Sequence, residues 1–363
     1  MSVPDLPHVP ATPGSLMRGE IAEQPEVLTR LNGQLQQPLS DLADHLRSHR
    51  PRFAMVCARG TSDHAALYAK YLFEVVLGVP TGLTSPSTFS VYGARVDFRD
   101  SLVVLVSQSG SSPDLLATEE AARAGGGLTV AVTNEPSSPL ARAAMHHVHA
   151  DAGPERAVAA TKSYTAALLS LWLLVQHWRG EDAAPANAVA QGAAAAVDGV
   201  AQALAAEPAT VELASHYRST DRIIVTARGF DYPTAREAAL KLTECCYLAG
   251  QAFSGADLVH GPIAQVDART PVLAIAGPGR SGRAMAPVIE ALAARGADLV
   301  VAGEWAGHTG VARHLALPSA HLPEELRPMV DVIPMQLLAL TLSLQRGIDP
   351  DRPRGLAKVT RTW

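Results

Sequence analysis

The chain alternates between short, almost wholly apolar runs and longer stretches with apolar residues every three or four positions. AMVCA (54–58), LVVLVS (102–107) and LTVAVTN (128–134) are too short for helices and rich in β-branched residues. Between them, segments such as AALYAKYLFE (65–74) carry a helical period. Continuous apolar strands alternating with helices predict parallel strands covered on both faces. YTAALLSLWLLV (164–175) and IPMQLLALTLSL (333–344) are apolar all round but too short to span a bilayer, and read as buried helices.

The pattern occurs twice. FAMVCARG (53–60) and RIIVTARG (222–229) match 169 residues apart, and LVVLVSQSG (102–110) faces PVLAIAGPG (271–279) at the same offset. The two apolar helices each end in Arg-Gly, at Arg179-Gly180 and Arg346-Gly347. Three correspondences in one order argue for a duplicated domain. Residues 181–215, Ala-rich with almost no aromatic content, read as a helical connection.

The run LVVLVS stops abruptly in Ser107-Gln108-Ser109-Gly110-Ser111-Ser112, followed by Pro113 and Asp114. Ligands of open parallel sheets bind beyond the carboxyl ends of the strands. Ser112 suits an N-cap and Pro113 a first helical position, so this loop leads into a helix N-terminus fit for a phosphate. Capping needs one hydroxyl, and the loop offers four. Arg59-Gly60-Thr61-Ser62-Asp63-His64 makes a second polar crest, and Ala159-Ala160-Thr161-Lys162-Ser163 a third wall. Together they point to a sugar phosphate. Gly277-Pro-Gly279-Arg-Ser-Gly282 is literally GxGxxG, with Glu304 after the next strand, but it stands where the first half has Ser-Gln-Ser-Gly. One match of this kind is weak, and a tight glycine turn accounts for it better than a dinucleotide site.

Composition narrows the choice. With 363 residues, 47% of them apolar and 18% charged, the chain can bury two domains' cores. A net charge of −5 without a basic stripe argues against nucleic acid as partner. Three cysteines, Cys57, Cys245 and Cys246, form neither a disulfide framework nor a zinc spacing. MSVPDLPHVPATPG (1–14) has no apolar h-region, so a cytoplasmic protein with a loose leader is expected. HHVH (146–149) places His147 and His149 on one face, but without a carboxylate cluster it reads as an edge strand and no metal site is expected.

Seven motifs in order carry a resemblance: EIAEQP (20–25), RGTSDHA (59–65), SQSG (107–110), VAATKSYT (158–165), EAALKLTE (237–244), HGPIA (260–264) and PRGLAKVT (353–360). They resemble the double-SIS (sugar isomerase) family, that is, the isomerase half of glucosamine-6-phosphate synthase and, more closely, stand-alone type II glucosamine-6-phosphate deaminases. The resemblance implies an α/β fold of two tandem SIS domains, each a flavodoxin-like parallel sheet flanked by helices. The expected division is a disordered leader (1–16), a first SIS domain with N-terminal helices (17–180), a helical linker (181–217), a second SIS domain (218–347) and a C-terminal catalytic tail (348–363).

It further implies that Thr61, Ser62, Ser107, Gln108, Ser109, Ser112, Val158 and Ala357 hold the sugar phosphate, with Lys241, Glu244, His260 and Lys358 catalytic. No cofactor is implied. The partner is a phosphorylated amino sugar, with His260 entering the site of a neighbouring subunit in a homodimer; no nucleic acid or membrane is implied.

The chemistry is sensible in itself. Lys241 and Glu244 share a helix face. Moving a hydrogen between C1 and C2 needs one base that returns the proton, which suits Glu244. Lys241 would keep that carboxylate ionised or stabilise an enediolate. His260 suits a ring-opening proton, and the Lys358 amine suits a Schiff base. On spacing alone, Glu237, Lys241 and Glu244 are equally a solvated ion stripe, His260 a structural histidine and Lys358 a solvated tail residue.

With only a short leader before the SIS motifs, a glutaminase domain like the synthase's is not expected, and the SQSGSSPD form resembles the deaminases more closely. Deamination of glucosamine 6-phosphate is therefore the expected reaction. The alternatives are an aldose–ketose phosphosugar isomerase without ammonia chemistry and a non-catalytic sugar-phosphate sensor.

Overall fold

The computed structural model describes residues 12–303, 311 and 313–358. Most of the expected leader, Glu304 and the last five residues of the tail lie outside the described residues. Where the leader was expected to extend to residue 16, a helix already begins at Ser15. Three helices open the described chain: α1 (Ser15–Ala22), α2 (Gln24–Gln34) and α3 (Gln36–His49).

The first sheet region runs β1 (Phe53–Cys57), α4 (Thr61–Leu72), β2 (Thr81–Leu83), α5 (Ser87–Ser90), β3 (Ser101–Ser107), α6 (Pro113–Ala124), β4 (Leu128–Thr133), α7 (Pro139–Ala143), β5 (His146–His149) and α8 (Lys162–Arg179). Helices α9 (Ala186–Ala203) and α10 (Glu207–Tyr217) lead to the second. That region comprises β6 (Arg222–Ala227), α11 (Tyr232–Cys246), β7 (Ala249–Ser254), α12 (Gly255–Val259), β8 (Pro271–Ala276), α13 (Arg280–Ala293), β9 (Asp298–Gly303), β10 (Arg313–Leu315) and α14 (Arg327–Gln345).

The expected fold is borne out. Both sheets are five-stranded, ordered β2-β1-β3-β4-β5 and β10-β9-β8-β6-β7, and every strand pair is parallel. Read from β7, the second order repeats the first. β3, β4 and β8 are buried at every residue, which is why their sequences are apolar throughout and do not alternate. HHVH forms β5, at the edge of its sheet. Each fully buried Val or Leu contributes about 1.5–3 kcal/mol.

One hydrophobic cluster runs through both halves, joining Val104 of the first sheet, Leu171 of α8, Val200 of α9, Val225 of the second sheet and Leu338 of α14. Helix α14 is long and apolar enough to cross a membrane, but it is a core helix, with 89% of its apolar window buried inside the protein. In an order such as β2-β1-β3, successive connections leave in opposite directions between β1 and β3, and a crevice opens at that switch point. The two polar crests read from the sequence border it, whereas of the expected third wall only Ala160 does, Thr161, Lys162 and Ser163 being buried.

Candidate active site

Two strand ends build the crevice. β1 leads through Arg59-Gly60 into α4, and β3 through the loop 108–112 into α6. Gly110 has φ +58, and a Cβ there would stand 2.1 Å from Ser138 Oγ, so no larger residue fits this turn. The N–H of Gly110 donates to Ser107 Oγ at 3.1 Å, folding the loop over the strand end. Ser112 occupies the N-cap of α6 as expected, yet its hydroxyl makes no capping bond. Ser112 is among the residues that border the cleft. Ser111 is exposed, and its hydroxyl donates to Ser109 O at 3.1 Å.

The cleft has a volume of about 400 Å³. All eight residues expected to hold the sugar phosphate line it: Thr61, Ser62, Ser107, Gln108, Ser109, Ser112, Val158 and Ala357. Glu244 reaches the same cleft from α11 of the second half, and Lys358 from the C-terminal segment. Sequence positions from 59 to 358 therefore meet in one space.

Lys241 is brought close but not into the cleft. It is buried, and its Nζ lies 2.5 Å from Glu244 Oε2, 3.1 Å from Thr61 Oγ1 and 3.3 Å from Glu237 Oε1. The Thr61 hydroxyl donates to Glu237 Oε1 at 3.1 Å, and Glu237 Oε2 lies 2.7 Å from His64 Nδ1. Glu237, Lys241 and Glu244 are thus no solvated stripe, because α11 packs that face against α4. Burial alone would lower the ammonium's pKa, but Glu237 and Glu244 outweigh it and hold Lys241 above the ordinary lysine value. Lys241 is thus a cation fixed directly behind the Glu244 carboxylate. It is not among the residues lining the cleft and reaches it through Glu244.

Lys358 is held by a residue the sequence reading missed. Its Nζ donates to Glu155 Oε2 at 2.7 Å. The buried Glu155 also accepts from Ser163 Oγ at 2.7 Å and from the N–H groups of Thr161 and Ser163, both at 3.0 Å. Burial pushes this carboxyl up, but Lys358 and the donated hydrogen bonds together hold it below the usual carboxylate range. Upstream, the Asp351 carboxylate accepts from the N–H groups of Leu16 and Met17 at 2.9 and 2.8 Å, pinning the tail to the start of α1. Asp349 Oδ1 adds a bond from Gly14 N at 3.0 Å.

Arg59 also lines the cleft and was read only as part of a motif. Its guanidinium pairs with Asp114 at 2.9 Å. His260 is exposed at the end of α12 and is not among the residues lining the cleft of its own chain. Cys57, Cys245 and Cys246 are buried and free, and burial pushes the Cys57 thiol up to about 11, so they are packing residues as read.

The GxGxxG segment is a tight turn. A Cβ on Gly282 would stand 1.6 Å from Gly277 O, and the first amides of α13 are occupied from within: Glu324 Oε1 accepts from Arg280 N, and Oε2 from Ser281 N at 3.3 Å. No dinucleotide pyrophosphate fits where that carboxylate sits.

Comparison with known proteins agrees with the duplicated architecture. The SIS domain family matches residues 49–176 and 216–346. The glutamine–fructose-6-phosphate aminotransferase (isomerizing) of Symbiobacterium thermophilum is 36% identical over 381 residues, covering 98% of this chain. The chain spans only 50–61% of the length of the aminotransferases it matches. A phosphosugar-isomerase candidate from Silicibacter pomeroyi superposes with a TM-score of 0.81 at 33% identity, over 92% of this chain and 99% of the other. Glucosamine-6-phosphate deaminase from Thermotoga maritima, 21% identical with a TM-score of 0.74 over 96% of this chain and 100% of the other, shares the fold. The chain belongs to the SIS domain family and carries two copies of that domain in tandem.

Proposed function

We propose that this protein is a phosphosugar aldose–ketose enzyme that deaminates glucosamine 6-phosphate: glucosamine 6-phosphate plus water gives fructose 6-phosphate and ammonia. The observation that carries the reading is the meeting of Glu244 and Lys358 with eight neutral phosphate-site residues in one cleft. The helix N-termini of α4 and α6, with the serine hydroxyls, hold the phosphoryl group. This anchoring orients the open chain towards Glu244.

Glu244 removes the C2 proton of the open-chain aldehyde, leaving an enolamine between C1 and C2. The same carboxyl returns the proton to C1; O1 has meanwhile taken up a proton and the nitrogen gives one up, so a C1 alcohol and an imine at C2 result. Water adds to C2 and ammonia leaves, so atoms balance. Lys241 pairs with Glu244 from behind and holds its carboxylate in place. The Lys358 amine, oriented by Glu155, approaches the C1–C2 end. His260 assists ring opening from a neighbouring subunit of a homodimer, which is consistent with its exposure outside its own cleft. The SQSGSSPD form of the loop supports deamination over glutamine-dependent synthesis.

The test is ammonia and fructose 6-phosphate release from purified protein given glucosamine 6-phosphate. Equimolar release, lost in Glu244→Gln, supports the proposal. Interconversion of another hexose phosphate without ammonia would make it an isomerase. Tight binding without turnover of any phosphosugar would make it a sensor.

A further inference from the structure

Asp114 poses a problem for a phosphate site. It lies in the first turn of α6, the helix whose N-terminus borders the cleft, and its side chain is only 2% exposed. A carboxylate there would repel a phosphoryl group approaching the same amides, and burial leaves little water to screen it. The charge must be answered locally.

Arg59 answers it. Its Nε and Nη2 both donate to Asp114 Oδ2, at 3.3 and 2.9 Å. A guanidinium has five N–H donors, so the pair leaves others unspent. Unlike its partner, the Arg59 side chain is 47% exposed, and it lines the cleft directly before Gly60 and α4. It therefore bridges the two helix starts that flank the crevice. Asp63, the acid in the first turn of α4, is matched elsewhere, by Arg236 at 3.6 Å. The other cation lining the cleft, Lys358, is matched by Glu155. In the second half, Arg228 stands before Gly229 as Arg59 does before Gly60, but the first turn of α13 carries no acid.

We infer that Arg59 contacts the phosphoryl group and sets the specificity for it, with Asp114 as its positioning residue. This deepens the proposed reading of the cleft as a sugar-phosphate site and rests on it. The buried carboxylate holds the guanidinium planar across the crevice mouth, and the guanidinium in turn cancels the charge that would exclude phosphate. A lysine at position 59 would be a poor replacement, since an ammonium lacks the planar fork.

Calorimetric titrations of wild type, Arg59→Met, Asp114→Asn and the double variant, with glucosamine 6-phosphate and with inorganic phosphate, test the inference. Arg59→Met should weaken both ligands about thirtyfold or more, because it removes a contact and exposes them to Asp114. The double variant should recover at least about fivefold of that loss, since the carboxylate has gone too. In turnover, the Arg59→Met loss should fall on KM more than on kcat.

Arg59→Met binding within threefold of wild type, or a double variant no better than the single, would overturn the inference. If Arg59→Met does not fold, the double variant against Asp114→Asn isolates the guanidinium, and equal phosphate affinity in those two would equally overturn it. Wild-type protein that binds phosphate but not glucosamine 6-phosphate would sink the sugar assignment, and loss of phosphate binding in Arg59→Met would then still support the clamp. Wild-type protein that binds neither overturns both.

Discussion

The two SIS domains repeat one strand order, β2-β1-β3-β4-β5 and β7-β6-β8-β9-β10, and differ at the crevice this order creates. In the first, five residues (108–112) join β3 to α6 and open a cleft lined by hydroxyls. In the second, three residues (277–279) join β8 to α13, and the Glu324 carboxylate lies across the first amides of the helix. Duplication kept the scaffold and its positive helix end in both copies. Only one was left open, and the other is satisfied by the chain's own anion. The second domain still serves the first, by sending Glu244 and Lys241 across the junction on α11.

The largest effect should come from the shared junction. Glu244→Gln removes the proposed base without changing size, and turnover should drop about 10²–10⁴-fold while ligand binding by calorimetry stays near wild type. Equal loss of binding and turnover would assign Glu244 to holding the substrate. Glu155→Gln should follow, with kcat reduced roughly tenfold because the Lys358 amine loses its orienting charge. An unchanged melting temperature beside the fall in kcat, with partial rescue by Glu155→Asp, would distinguish that role from mere loss of stability.

Away from α11's cleft-facing residues, the second domain should respond in stability rather than in turnover. Burial pushes Asp231 up to about 7, and burial beside the Asp231 charge also raises Asp331 above the usual range. Between the ordinary value of 3.8 and about 7, folded Asp231 holds a proton that the unfolded chain has released. Stability from this group is therefore present at low pH and is lost as pH rises through about 7. Asp331→Asn should relieve the pair and raise stability at pH above 7 by on the order of 1 kcal/mol, with a smaller gain in acid, read as melting temperature against pH. A gain independent of pH would place the effect in packing.

The smallest change should be Glu324→Ala. Losing an anion at a helix start costs about 1 kcal/mol of stability, with turnover retained. Thermal unfolding and a rate assay together check it, and a large loss of turnover would mean the second crevice takes part in the chemistry.

Much of the architecture was legible because it rests on local patterns. Apolar runs such as LVVLVS can only be buried parallel strands, and the matching ARG ends at 58–60 and 227–229 expose the repeat. The hydroxyl loop was legible because its excess over capping needs is visible in six consecutive residues. What stayed hidden depends on side chains meeting across the fold. Arg59 and Asp114 are 55 residues apart, Glu155 and Lys358 203, and Arg280 and Glu324 44. No spacing rule connects such pairs. The same holds for Lys241: its helix face was readable, but whether that face met solvent or α4 was not.

A crystal structure of Glu244→Gln with glucosamine 6-phosphate bound tests the central contrast most directly. The account predicts the phosphoryl group among Ser62, Ser107, Ser109 and Ser112, with C1 and C2 towards position 244 and Lys358, and Glu324 undisturbed on α13. Sugar phosphate at the Gly277–Gly279 turn, with Glu324 displaced, would contradict it.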